Sequence, residues 1–70
     1  MKYSILFGGP GAISTHDPEI FKSLVLSCTG IKALQKSDEQ RAVTYHDDDP
    51  TLPEDIRGNW NKIATYLITA

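Results

Sequence analysis

The sequence predicts a small α+β domain with the element order β-α-β-β-α, in which two helices cover one face of a single three-stranded sheet. Apolar residues recur at helical spacing from Thr51 onward, and Asp17-Pro18-Glu19 is typical of a helix start. Three short segments are rich in the β-branched and aromatic residues that strands favour. One sheet layer with helices on one face is the simplest way for these elements to bury their apolar sides.

The length and composition are those of one small folded unit. The chain has 70 residues, of which 40% are hydrophobic and 23% charged, so residues 1–70 are expected to form a single compact domain rather than a disordered chain. A domain of this size buries only about 60% of its unfolded surface and has a thin core. Homodimerisation is a common way for such a chain to bury more apolar area, and it remains an open alternative.

Charge and cysteine content exclude several classes of partner. The net charge is −2 and the seven basic residues are scattered, which argues against direct binding of nucleic acid. Cys28 is the only cysteine, as is typical of proteins in a reducing compartment. The sequence contains no signal-peptide pattern and no apolar run long enough to span a membrane. We therefore expect a cytoplasmic protein without a membrane partner.

The first strand and the first helix have clear local signals. Residues 2–7 alternate and are rich in Tyr, Ile and Phe, which predicts a strand. Glycine and proline then predict a loop from Gly8 to Thr15. Asp17 is expected to cap a helix whose first residue is Pro18, and Gly30 is expected to end it in a left-handed conformation. The apolar face of this helix consists of Ile20, Phe21, Leu24, Val25 and Cys28.

The middle of the chain predicts two short strands, at residues 31–36 and 41–46, around a polar turn. Residues 31–40 also tolerate a helix, and that alternative stays open. The first helix is expected to act as a right-handed crossover. It would leave strands one and two parallel, or strands one and three adjacent. Asp47 to Pro50 form a polar stop before the last element.

The last third of the chain predicts one amphipathic helix from Thr51 to Ala70. Thr51 and Glu54 have the spacing of a capping box, and Pro53 lies in the first turn. Its apolar stripe is expected to pack on the first helix, with Trp60, Ile63 and Leu67 against Phe21, Leu24 and Val25. The stripe contains Leu52, Ile56, Trp60, Ile63, Ala64, Leu67 and Ile68.

Two segments resemble ligand sites without completing the pattern. The glycine-rich loop Gly8–Thr15 lies between a strand and a helix, as a phosphate-binding loop does, but it lacks the lysine of that motif. Residues 46–49, His-Asp-Asp-Asp, have metal-ligating groups, which His16 and Asp17 could join. The side chains of consecutive residues at a strand end point in different directions, so at most two of the four could face one ion and no metal site is expected. A phosphate or small-ligand binder and a metal-dependent hydrolase remain as alternatives, and no cofactor is expected.

The acids are unevenly distributed, because seven of the nine follow residue 37. Such crowding suits recognition of a basic surface on another protein. We therefore expect a protein-binding module rather than an enzyme, with no catalytic residues. Small chains of this style are common in phages and mobile elements, which favours a regulator or inhibitor of a larger host protein. The expected contact residues are Asp47, Asp48, Asp49, Glu54, Asp55 and, flanking the helical stripe, Asn59 and Tyr66.

Overall fold

The computed structural model describes residues 1–70 and contains a four-stranded antiparallel sheet with two α-helices on one face. The α+β class is confirmed, but the sheet has four strands rather than three. In chain order the elements are β1 (Lys2–Leu6), β2 (Ala12–Thr15), α1 (Pro18–Ser27), β3 (Ala33–Ser37), β4 (Ala42–Tyr45), a 3₁₀ helix (Glu54–Ile56) and α2 (Trp60–Thr69).

The additional strand is β2, in the stretch for which the sequence predicted a loop. Gly8 and Gly9 have φ values of 82° and 68°, which residues other than glycine rarely adopt. These two residues turn the chain back on itself, so that Ala12–Thr15 pairs with β1. The glycine and proline residues therefore form the turn of a β-hairpin, and the four residues after them are too few to give a strand signal of their own.

The order of strands in the sheet is β2-β1-β3-β4, and every neighbouring pair is antiparallel. The predicted crossover between parallel strands is wrong, because β2 reverses the chain before α1 begins. Each half of the chain is thus a β-hairpin followed by a helix. The two hairpins join through β1 and β3, where Ser4 lies opposite Gln35. Residues 33–37 form a strand, so the helical alternative for residues 31–40 is also wrong.

Helix α1 begins as the sequence predicts. The carboxylate of Asp17 accepts hydrogen bonds from the N–H groups of Glu19 and Ile20, at 2.8 and 3.3 Å, and Pro18 is the first helical residue. Phe21 is buried and stacks on Tyr3 of β1, with ring centroids 5.2 Å apart. The helix ends through an extended C-cap, Cys28, and the predicted left-handed residue, Gly30 with a φ of 76°, comes two residues after that cap.

The predicted helix from Thr51 to Ala70 is wrong in its first half, because α2 starts only at Trp60. Its cap is Asn59, whose Oδ1 accepts the N–H of Lys62 at 3.1 Å. Gly58 has a φ of 78°, a left-handed conformation that ends any helix arriving from Thr51. Residues 54–56 form only one 3₁₀ turn.

The hydrophobic core lies between the sheet and the two helices. The inner face of the sheet contributes Tyr3, Ile5 and Leu34, which are all buried. Trp60, at the first position of α2, packs against this core but is only half-buried, unlike Ile63 and Leu67 of the same predicted stripe. No helix has the length and apolar character needed to cross a lipid bilayer. The buried residues from the remaining elements are Phe21, Val25, Ile31, Leu52, Ile63, Ala64 and Leu67.

Candidate functional site

Residues 46–59 connect β4 to α2, and we call them the acidic segment. The equivalent link in the first half of the chain, between β2 and α1, is only His16 and Asp17. The acidic segment is held by its own backbone, since the N–H of Gly58 donates to the carbonyl of Asp47 at 2.9 Å. Leu52 is only 1% exposed and fixes the segment to the core.

The side chain of Arg57 donates hydrogen bonds to the backbone of the acidic segment. Its Nε donates to the carbonyl oxygen of Leu52 at 3.0 Å, and its Nη2 donates to that of Pro50 at 2.9 Å. These two charge-assisted hydrogen bonds satisfy carbonyl groups that no regular element would pair. The only arginine among residues 46–59 is therefore a structural part of the segment, which gives the segment a defined shape.

Asp49 also takes part in the fold of the segment itself. Its Oδ1 accepts hydrogen bonds from the Oγ1 and the backbone N–H of Thr51, at 2.6 and 2.8 Å. The hydrogen bond from the Thr51 side chain, followed by that from its backbone, holds the pKa of the Asp49 carboxyl below its usual value. Thr51 thus supports a turn at Asp49 and does not cap the final helix.

The other four acids of the segment present their charges to solvent. Asp47, Asp48, Glu54 and Asp55 are all exposed. Asp47 contributes to the fold of the segment only through its backbone carbonyl oxygen, which accepts a hydrogen bond from the N–H of Gly58. Unlike the carboxylates of Asp17, Asp38 and Asp49, these four side chains serve no cap or turn of the fold.

Asn59 and Tyr66 occupy different positions on α2. Asn59 is the N-cap, so its side-chain oxygen is already engaged. Tyr66 is half-buried, and its ring meets Tyr45 edge-on with centroids 5.9 Å apart. Burial, with smaller contributions from Tyr66 and Asp49, raises the pKa of the Tyr45 hydroxyl.

A shallow hollow of about 410 Å³ lies along the outer side of α2 and reaches the acidic segment. Tyr66 and Ile56 provide its apolar lining, and Ile56 lies directly after Glu54 and Asp55. The sequence assigned Ile56 to the buried stripe, because the spacing from Leu52 is helical. The left-handed Gly58 breaks that helix, and Ile56 is left half-buried beside the hollow. The remaining lining residues are Asn61, Lys62, Thr65 and Thr69.

The glycine-rich stretch Gly8–Thr15 does not have the geometry of a phosphate-binding loop. It turns into strand β2 instead of a helix. Helix α1 begins after the opposite end of β2, and the carboxylate of Asp17 already accepts the N–H groups of Glu19 and Ile20. The strand–loop–helix arrangement on which this alternative depended is therefore not present.

The two histidines lie at opposite ends of the sheet. His16 follows Thr15, which pairs with Tyr3, whereas His46 follows Tyr45, which pairs with Leu34. Beyond Thr15 the chain runs toward the Lys2 end of the β1–β3 ladder, and beyond Tyr45 it runs toward the opposite end, where Leu6 pairs with Ala33. Hence His16 and Asp17 do not join residues 46–49, and no three His, Cys, Asp or Glu side chains converge as a metal site would require.

A second hollow, of about 240 Å³, lies where the end of α2 meets β3 and β4. No sequence pattern predicts this hollow. Lys36 is half-buried there, and its Nζ donates to the backbone oxygen of Ala70 at 3.0 Å. This contact places a positive charge at the C-terminal end of the helix, where the dipole favours it. Lys36 therefore stabilises α2 and is not free to bind a ligand.

Comparisons of the chain with protein-family models, with characterised proteins and with solved structures found no match.

Proposed function

We propose that this protein is a non-enzymatic binding module that regulates or inhibits a larger protein by engaging a basic surface on it. The contact surface consists of the outward acids of the acidic segment together with the adjoining hollow. The observation that carries the proposal is that a hollow with Ile56 and Tyr66 in its lining reaches the acidic segment, which has four exposed carboxylates that the fold does not use.

This arrangement resembles the anatomy of a protein–protein interface. Such interfaces combine an apolar centre, often with an aromatic residue, and a polar or charged rim. Tyr66 is half-buried against Tyr45, so its ring is already ordered before a partner arrives. Less conformational entropy is then lost when an apolar side chain of the partner enters the hollow.

The order of the acidic segment supports the same proposal. The contacts of Arg57 and Leu52 hold the backbone of the segment in one shape. Charges on a fixed backbone can match a partner's basic groups in position as well as in sign, which gives specificity and speeds association. Asp49 contributes to this shape, whereas Asp47, Asp48, Glu54 and Asp55 provide the charge.

The experiment compares the proteins captured from the native host by wild type and by two double variants. Asp48→Lys with Asp55→Lys reverses two charges in the segment. Glu19→Lys with Glu39→Lys makes the same change in net charge at exposed sites outside it. A partner of the acidic segment should be recovered with wild type and with the second variant, but not with the first.

The kinetics of the captured partner test the mechanism. Because charged groups at the rim mainly steer association, the association rate should fall steeply with rising salt, while the dissociation rate changes less. Tyr66→Ala should instead speed dissociation, since it removes the apolar anchor. A partner that binds the Asp48→Lys, Asp55→Lys variant as tightly as wild type would refute the proposed surface.

A further inference from the structure

Strand β2 forms one outer edge of the sheet, and nothing in its sequence protects that edge. Ala12–Thr15 contains no charged residue and no proline; Pro10 lies in the turn before it, and Pro18 lies in α1. Edge strands of monomeric proteins are usually protected by charges, prolines or bulges, because their free backbone groups pair readily with another strand. The exposed edge of β2 is therefore competent to pair.

The hairpin fixes which backbone groups of β2 point outward. The N–H of Phe7 donates to the carbonyl of Gly11, and the register continues with Ile5 opposite Ile13. Hydrogen-bonded pairs alternate along an antiparallel ladder, so Ile13 and Thr15 bond to β1. The N–H and C=O groups of Ala12 and Ser14 consequently point away from the sheet.

Two exposed apolar side chains lie along the same edge. Ile13 is on the helix-covered face of β2, opposite the buried Ile5, and is 38% exposed. Ile20 of α1 is 51% exposed. It lies on the side of α1 away from α2, because Lys22 and Leu26 are the residues that line a hollow shared with α2. The β2 edge thus carries an uncovered apolar strip beside its free backbone groups.

We infer that a second copy of this chain pairs with this edge, β2 to β2 in antiparallel orientation, about a two-fold axis at Ser14. In this register Ser14 lies opposite Ser14 of the second copy, and Ala12 lies opposite His16. Ala12 and Ser14 have outward backbone groups, and His16, which follows β2 directly, comes next in the same alternation. A register centred on Ala12 would place Pro10 opposite Ser14, where proline has no N–H to donate. The two sheets become one continuous sheet of eight strands.

The occupant is a second copy because the dimer repeats a junction that the monomer already contains. Within the chain, two hairpins join side by side, and their helices α1 and α2 pack together. Neighbouring hairpins are two strand spacings apart, about 10 Å, which is the distance at which helices pack. Pairing through β2 gives the two α1 helices the same spacing and encloses Ile20 between them.

The opposite edge, β4, differs mainly in its apolar cover. Both edge strands are followed by a His-Asp pair, but β4 is preceded by Arg41, whereas β2 is preceded by Gly11. Its apolar residues on the helix-covered face, Val43 and Tyr45, are already half-buried. This edge has the cover that β2 lacks and one more flanking charge, so it provides the matched control.

The test measures the dimer dissociation constant by sedimentation equilibrium for wild type and four variants. Ala12→Pro and Ala42→Pro are equivalent changes on the two edges, since each alanine is outward-facing and exposed. Ile20→Lys and Leu26→Lys are equivalent changes on the two sides of α1. Wild type should dimerise. Ala12→Pro and Ile20→Lys should raise the dissociation constant by about a hundredfold, tenfold for each copy of the changed contact, while Ala42→Pro and Leu26→Lys leave it unchanged.

Hydrogen exchange locates the interface directly. The amides of Ala12 and Ser14 should gain protection as protein concentration rises, whereas the amides of Ala42 and Thr44 should not. A wild-type chain that stays monomeric at millimolar concentration would overturn the inference. A dimer that survives both Ala12→Pro and Ile20→Lys, or that protects β4 instead, would also overturn it. None of these outcomes bears on the acidic segment, so the two proposals fail separately.

Discussion

Replacing Leu52 by alanine tests whether the acidic segment is held to the core. Leu52 is 1% exposed and belongs to the same buried cluster as Ile63 and Leu67 of α2. Truncation of a fully buried leucine costs about 2–5 kcal/mol, with the larger values at sites that cannot collapse. Leu52 lies outside helices and strands, where the backbone can partly relax, so we expect a loss near the middle of this range, about 3 kcal/mol.

This loss is large relative to the stability of so small a domain. At 0.05–0.15 kcal/mol per residue, the whole chain is stabilised by only about 4–10 kcal/mol. For a domain of this length, each kcal/mol shifts the melting temperature by about 4–8 °C. Leu52→Ala should therefore lower the melting temperature by roughly 12–24 °C and remain folded at low temperature.

The assay is a thermal melt followed by the fluorescence of Trp60, the only tryptophan in the chain. Leu26→Ala is the matched control, because Leu26 is 70% exposed and its truncation should change the stability by less than about 0.5 kcal/mol. A Leu52→Ala loss below about 1 kcal/mol would refute the reasoning, since it would mean that the acidic segment is not anchored through Leu52.

Two further predictions concern the shape of the acidic segment. Gly58→Ala should destabilise the protein by about 1–2 kcal/mol, because Gly58 has a φ of 78° and no atom near a new Cβ, so the cost is purely conformational. Gly11→Ala has the same free space without the positive φ and should be neutral or slightly stabilising in the same denaturation assay. The stabilising effect of Asp49 should be complete above its unfolded pKa near 3.8 and should be lost as the pH falls through the lower folded value. Asp49→Asn should therefore flatten the stability curve below about pH 4, whereas Asp48→Asn, which removes the same charge but no hydrogen bond to Thr51, should leave that decline in place.

The sequence predicted those elements whose signals are local. Asp17 and Pro18 mark the start of α1 without reference to any other part of the chain, and the structure confirms them. Gly30 is left-handed as expected, but the helix already ends at the extended residue Cys28, two residues earlier. The four residues of β2 carry no such signal. Their strand forms because β1 offers a neighbour across the glycine turn, and that pairing is a tertiary effect.

The final helix was predicted too long because its apolar spacing is ambiguous. Leu52 and Ile56 are four residues apart, as in a helix, and both contact the core. Leu52 and Ile56 contact the core from an irregular segment rather than from a helix. Gly58 has a left-handed backbone conformation, and Arg57 donates hydrogen bonds to carbonyl groups of the segment. A hydrophobic pattern records which residues are buried, but several backbone paths can bury the same residues.

The candidate surface was predictable in charge but not in shape. Counting acids selects Asp47, Asp48, Glu54 and Asp55, which are all exposed. It also selects Asp49, whose carboxylate is used by Thr51. Distinguishing an acid that shapes a loop from acids that face solvent requires the hydrogen bonds of the folded chain. The hollow between the 3₁₀ helix and α2 likewise exists only after both have formed.

In a dimer paired through β2, the two acidic segments lie far apart. They follow the β4 strands, which are separated by seven strand spacings, or about 34 Å. The two-fold axis also places the segments at opposite ends of their sheets. A partner with one basic surface therefore binds one segment at a time, and we expect one partner molecule per chain both for wild type and for the monomeric Ala12→Pro variant. Calorimetric titration at a protein concentration above the dimer dissociation constant measures this ratio. One partner per two wild-type chains, rising to one per chain in Ala12→Pro, would mean that the partner spans both copies or covers the β2 edge, and that the acidic segment is not its whole binding surface.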